Sequence, residues 1–394
     1  MAVFNKADIL LPKTDMEKWS VVACDQFTSQ PEYWAETERI AGDTPSTLNL
    51  VFPEVYLSEG RGRIEKINKT MQEYLDSGLF AEYKNSLIYI ERTVAGKVRQ
   101  GLVGAVDLDA YDFHKGAKSA IRATEGTVME RIPPRVEIRR DAPLELPHVM
   151  LLVDDSERTI IEPLKNSEKT PLYDFDLMQK GGHLSGWLLS DSAADSALNA
   201  IAKLEKTAPD GLLFAVGDGN HSLATAKTCW EKIKKTLSLE EQINHPARFC
   251  LVELVNIHSE ALVFEPIHRV VFGCDAEKLV AKLKSECGGE GYIVKCVTSN
   301  GEEEISLSAD LSKLAVGVLQ NFLDKEGVEV DYIHGDDVCR ELGKRAENVG
   351  FLLPKPDKSD LFKSVIKDGA LPRKTFSMGD ANEKRYYTEA KRIK

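Results

Sequence analysis

The chain has 394 residues, 42% of them hydrophobic, and a formal net charge of −12. That length accommodates two or three lobes with real cores, and the acidic balance argues against nucleic-acid binding, which relies on basic stripes that neutralise phosphates. Seven cysteines without a C-x-x-C pair argue against a disulfide framework and a structural zinc site.

Residues 1–18 mix charges among their apolar positions and lack the apolar core of a signal peptide. No apolar run approaches the ~18–20 residues that span a bilayer. A cytoplasmic location is therefore expected. Ser20–Ala23 is a short buried-strand candidate leading into Cys24-Asp25-Gln26-Phe27-Thr28, and Pro31 opens a helix carrying Trp34 and Ile40. Ile64, Ile67, Met71, Tyr74 and Leu75 stand at helical spacing and predict an amphipathic helix over about 62–79. Leu87–Val94 and Val98–Leu108 flank Ala95-Gly96 as a hairpin candidate. The polar, cation-rich stretch 114–140 has no clear period, and Pro133-Pro134 interrupts it.

Strand character resumes at Val149–Val153 and Ser185–Leu189, with a helix expected over Ala193–Leu204. Leu212–Val216 is apolar and runs into Gly217-Asp218-Gly219-Asn220-His221-Ser222, after which Leu223, Ala226, Trp230 and Ile233 mark a helix. Phe249–Ile257 and Ala261–Phe272 read as adjacent strands. Beyond Gly273 come a helix over Ala276–Ser285, a strand over Tyr292–Val297, a short strand at Val349–Leu353, a helix over Leu361–Ile366 and a basic tail. Without a regular βαβ rhythm, α+β with a mixed sheet is the expected class, divided into a catalytic region 1–272 and a C-terminal α/β lobe 273–394.

Five clusters could carry chemistry. Strand, glycine turn and helix at 217–222 can hold a phosphate, because glycines bring backbone N–H groups close to an anion and the helix presents its unpaired amides. There Asp218 is an acceptor or base, while Gly219, Asn220, His221 and Ser222 are phosphate-binding candidates; a capped structural turn is the plain alternative. A second cluster is Asp25, with Gln26 and Thr28 as substrate-side candidates on a strand-end loop. A third packs Arg122, Glu125, Arg131 and Arg135 into fourteen positions, where arginine forks match phosphate geometry; a solvated charged loop is its alternative. His268 and Arg269 follow a strand, and Lys374 stands in the basic tail. The chain lacks the G-x-x-x-x-G-K-[ST] cradle, G-x-G-x-x-G opening a helix, H-E-x-x-H and G-x-S-x-G, which disfavours the common nucleotide, zinc-hydrolase and serine-hydrolase sites.

Taken in order, Asp25, Arg122–Arg135 with Leu151–Asp155, Asp218–His221, Phe264–Val271, Phe351-Leu-Leu-Pro354 and Pro372–Phe376 resemble domain-of-unknown-function family 1015 over essentially the whole chain. The Asp-Gly-Asn-His turn further resembles the Asp-Gly-x-His-Arg loop of ParB/sulfiredoxin-like free serine kinases. That resemblance implies a ParB/sulfiredoxin-like core, transfer of a phosphoryl group to free L-serine with Mg²⁺, and a donor among ATP, ADP and pyrophosphate. It implies Asp218 at the reaction centre, Glu125 or Asp25 assisting or holding the metal, and phosphate contacts from Asn220 and His221. Two departures stand out: Ser222 replaces the loop's Arg, and Ala23-Cys24-Asp25-Gln26 replaces the family's Pro-Pro-Tyr-Asp opening. A phosphometabolite-sensing regulator and a phosphoserine phosphatase remain alternatives, metal ligands are unassigned, and a homo-oligomer stays open.

Overall fold

A computed structural model describes residues 2–28, 30–127, 129–372 and 374–394, with the Arg131 side chain outside the description. It is an α+β protein in two compact units. The first comprises 1–123, 127–262 and 380–394; the second comprises 124–126 and 263–379. The units thus do not follow a linear division at 272/273. The strand at 264–271 pairs within the second unit, and the closing residues pair back into the first.

The elements of the first unit that position the site are β1 (Val21–Val22), α1 (Gly60–Asp76), β2 (Ile88–Val94), β3 (Lys97–Asp107), β4 (Ile121–Ala123), α2 (Ile132–Arg140), β5 (Met150–Val153), β6 (Lys169–Leu177), β7 (Gly182–Leu189), β8 (Phe214–Asp218), α3 (Asn220–Lys234) and β9 (Phe249–Asn256). The main sheet runs β6-β7-β2-β3-β9-β5-β8-β4. It is mixed: β9 and β5 are parallel, β5 and β8 antiparallel, β8 and β4 parallel. Both faces are covered, as alternation along the strands requires. Tyr89, Leu102, Val252 and Leu254 face one core with Trp230 of α3, while Ile88, Ile90, Val103 and Leu251 face a second core with Trp34.

The β2–β3 hairpin turns where the sequence places it. Ala95 and Gly96 both take positive φ, 49° and 74°, the two-residue geometry that matches strand twist. The stretch 114–140 is more ordered than its lack of period suggests. It contains β4 and α2, and Pro133-Pro134 sits in the first turn of α2, where a missing N–H costs nothing.

In the second unit, β10 (Phe264–Val271), β11 (Gly291–Thr298), β12 (Gly301–Ser308), β13 (Val330–His334) and β14 (Val349–Leu352) form an antiparallel sheet of order β12-β11-β14-β10-β13. β9 and β10, expected as neighbours, therefore lie in different sheets. Their shared apolar character marks burial and says nothing about pairing partners. Among the described residues no helix is long and apolar enough to cross a membrane.

Candidate functional site

β8 ends at Asp218 beside Met150 of β5, at an irregularity in the register. Gly219 then takes φ 82°, ψ 26° as the N-cap of α3, a position that offers no capping side chain. A Cβ at Gly219 would lie 3.0 Å from the Cα of Val149, so the turn needs glycine for its dihedral and for its close approach to the neighbouring chain. The Gly219 N–H donates to Oδ1 of Asp218 at 3.0 Å. The other carboxylate oxygen, Oδ2, is 3.5 Å from Nζ of Lys384.

Lys384 arrives from the closing segment. There β15 (Tyr386–Tyr387) pairs antiparallel with β1, Tyr387 opposite Val21. The segment is held by buried arginines. Arg92 on β2 donates to the carbonyls of Gly181, Asn382, Glu383 and Lys384. Arg385 pairs with Glu253 at 2.8 Å and Glu389 at 2.6 Å, and Arg99 meets the same Glu253 at 3.1 Å. Buried charges survive only when paired and hydrogen-bonded, so this network fixes where residues 382–389 run.

Asp25 follows β1. Burial acts to raise its carboxyl, but His148, the Gln26 amide, Lys384 and Arg135 outweigh that and hold it below the ordinary carboxylate value. Lys384 thus serves two carboxylates, Asp25 and Asp218. His148 is buried between two side chains: one ring nitrogen lies 3.1 Å from Oγ of Ser222 in the first turn of α3, the other 2.9 Å from the Tyr387 hydroxyl. That hydroxyl also accepts the N–H of Cys24 at 3.2 Å. Burial, and then Asp25, push the Cys24 thiol up to about 12, so it stays a neutral thiol.

The first unit therefore gathers Asp25, Arg135, Asp218 and Ser222, all candidates from sequence. Gln26 supports Asp25 through a 2.9 Å hydrogen bond, and Thr28 is exposed. Gly219, Asn220 and His221 form the turn and the start of α3, with the His221 carbonyl taken by the Thr225 hydroxyl at 2.7 Å. Arg122 is engaged elsewhere: its guanidinium binds the Ser119 carbonyl and both the carboxylate and the carbonyl of Asp210. The Arg131 side chain lies outside the described residues.

The remaining candidates belong to the second unit. Glu125 bridges Leu371 there and acts electrostatically on Arg269. Arg269 is fully buried, reaching Gln320 and the carbonyl of Lys374, which positions that loop. His268 is also buried, accepting the Leu353 N–H and meeting Asp336 at 2.9 Å. The Lys374 side chain is exposed. His268 and Arg269 thus serve as internal ties within this unit.

Sequence reasoning missed His148, Lys384 and Tyr387. Their partners lie far along the chain, and no local spacing announces them. Among the described residues no group of three or more His, Cys, Asp or Glu is arranged to hold a metal ion.

The family model for "Protein of unknown function (DUF1015)" matches residues 6–390. No curated protein sequence matches the chain. Similar solved structures include SbnI with C-terminal truncation from Staphylococcus aureus, 12% identical over 70% of this chain and 83% of that one, with a TM-score of 0.36. A conserved hypothetical protein from Pyrococcus furiosus is 13% identical over 73% and 93%, with a TM-score of 0.35. A free serine kinase in complex with AMP is 12% identical over 74% and 92%, with a TM-score of 0.37.

Proposed function

The chain belongs to the DUF1015 family of proteins of unknown function, and we propose that it is a small-molecule kinase. It would move a phosphoryl group onto the hydroxyl of a small metabolite, with L-serine as the first candidate and ATP, ADP or pyrophosphate as donor. The observation that carries this reading is Asp218 beside the glycine N-cap of α3, 3.5 Å from Lys384.

Phosphoryl transfer needs positioning and charge neutralisation more than covalent chemistry. Asp218 is the group to orient the acceptor hydroxyl and take its proton. The backbone amides that open α3, from Asn220 to Ser222, would face the anion, with the Asn220 and His221 side chains beside it. Lys384 neutralises phosphate charge that two carboxylates would otherwise repel. Asp25 would hold Mg²⁺, which supplies further neutralisation of the donor phosphates. The ParB/sulfiredoxin-like relationship stays part of this proposal.

The test is incubation with L-serine, Mg²⁺ and each donor in turn, reading O-phosphoserine by phosphorus NMR. Product that disappears in Asp218→Asn supports the reading. No phosphorylated product with any donor, from wild-type protein shown to be folded, removes serine kinase activity.

A further inference from the structure

Behind the His148–Ser222 pair lies a cavity of about 150 Å³, formed entirely within the first unit. Its wall is apolar, built from Leu50, Val51, Phe52, Met71 of α1, Ile138 of α2 and Leu144. Its polar end carries Ser222 and His148, hydrogen-bonded to each other at 3.1 Å. The cations along it are already matched: Arg139 pairs with Glu145 at 2.5 Å, and Arg135 pairs with Glu54. A space of this volume between aliphatic and aromatic side chains holds a benzene-sized molecule, about six carbons. An anion placed there would add an unmatched charge to a region whose ion pairs are complete, at a large desolvation cost.

We propose that this cavity binds a small uncharged alcohol, its apolar body of about six carbons against Leu50, Phe52 and Met71 and its hydroxyl on Oγ of Ser222. Both His148 nitrogens are taken, but a serine hydroxyl has one donor and two acceptor sites, so beside its bond to His148 Ser222 can still accept the alcohol's O–H. The cavity shares Ser222, His148 and Arg135 with the candidate site, its lining reaches neither Asp218 nor Lys384, and it makes no use of phosphoryl transfer. Its test reads binding alone, so its outcome is independent of the kinase reading.

The experiment compares 4-methylpentan-1-ol, 4-methylpentanoate and ethanol by calorimetric titration and thermal shift on the full chain. The alcohol should bind saturably and raise Tm, with ethanol and the carboxylate each weaker by about tenfold or more, the first for lost apolar burial and the second for its charge. Ala142→Leu, which fills the cavity with added carbons, should abolish binding. Should that variant fail to fold, methyl-labelled wild-type protein decides, because the ligand must show NOEs to the Met71 methyl. Absence of saturable alcohol binding at millimolar concentration, equal binding to folded Ala142→Leu, tighter binding of the carboxylate, or no Met71 NOE would each overturn the proposal.

Discussion

The Arg92 guanidinium donates to the backbone carbonyl of Lys384 at 2.5 Å, which ties β2 of the main sheet to the residue that faces Asp218. Arg92 itself is 1% exposed and has four backbone carbonyls around it. Its role is to position rather than to touch substrate.

Arg92→Met should therefore destabilise the first unit by about 4 kcal/mol or more, since four backbone carbonyls lose their donor at ~1–3 kcal/mol each. Denaturant unfolding measures this. Limited proteolysis should cut first within 380–387, and an unchanged cleavage pattern would show that the segment is held by other contacts.

Asp218→Asn should lower turnover by about 10²–10⁴-fold with an intact fold, the usual loss for a general base. Lys384→Met should raise the donor KM more than the acceptor KM, because it removes charge facing the phosphates. Circular dichroism and steady-state kinetics on both variants supply the check. Near-wild-type rates in a folded Asp218→Asn protein would sink its assigned role.

Pyrophosphate should bind at the turn from Gly219 to Ser222 and raise Tm, a ligand at ~100 times its Kd contributing about 2.7 kcal/mol. His221→Ala should shrink the shift. Equal shifts in the two proteins would take His221 out of the anion site.

Acid should destabilise the first unit through Glu253. Burial acts to raise that carboxyl, but Arg99 and Arg385 outweigh it and hold the folded value below the ordinary one. A depressed carboxylate stabilises the fold at pH above its unfolded value, about 4.3, and that stability is lost as pH falls through the folded value. Glu253→Gln should be weaker at neutral pH, and its urea midpoint should fall less between about pH 5 and pH 3 than that of wild type. Parallel pH profiles would place the acid sensitivity elsewhere.

Much of the fold was legible because local chemistry announces it. Ala95-Gly96 signals its hairpin, and Gly219 between an apolar run and a helical period signals the βα turn. Pairing across the chain carries no such signal. His148 meets Ser222 and Tyr387 across 74 and 239 positions. Nothing local in the basic tail marks burial, yet Arg385 and Lys391 are buried. Charged residues in sequence carry no mark of the carboxylate that will meet them, here Glu253 for Arg385. Gly101 shows the same limit: a Cβ there would lie 2.8 Å from Oε1 of Glu253, a constraint imposed by a residue 152 positions on.

The pairing of Tyr387 with Val21 also bears on the order in which the protein can be made. Synthesis is vectorial, so the strand bearing the start of the site emerges from the ribosome long before its partner. Until residue 387 has left the exit tunnel, Val21 and Val22 lack that strand and Asp25 lacks Lys384. Nascent chains stalled before about residue 380 should therefore hold an assembled main sheet in which Asp25 and Asp218 still lack Lys384.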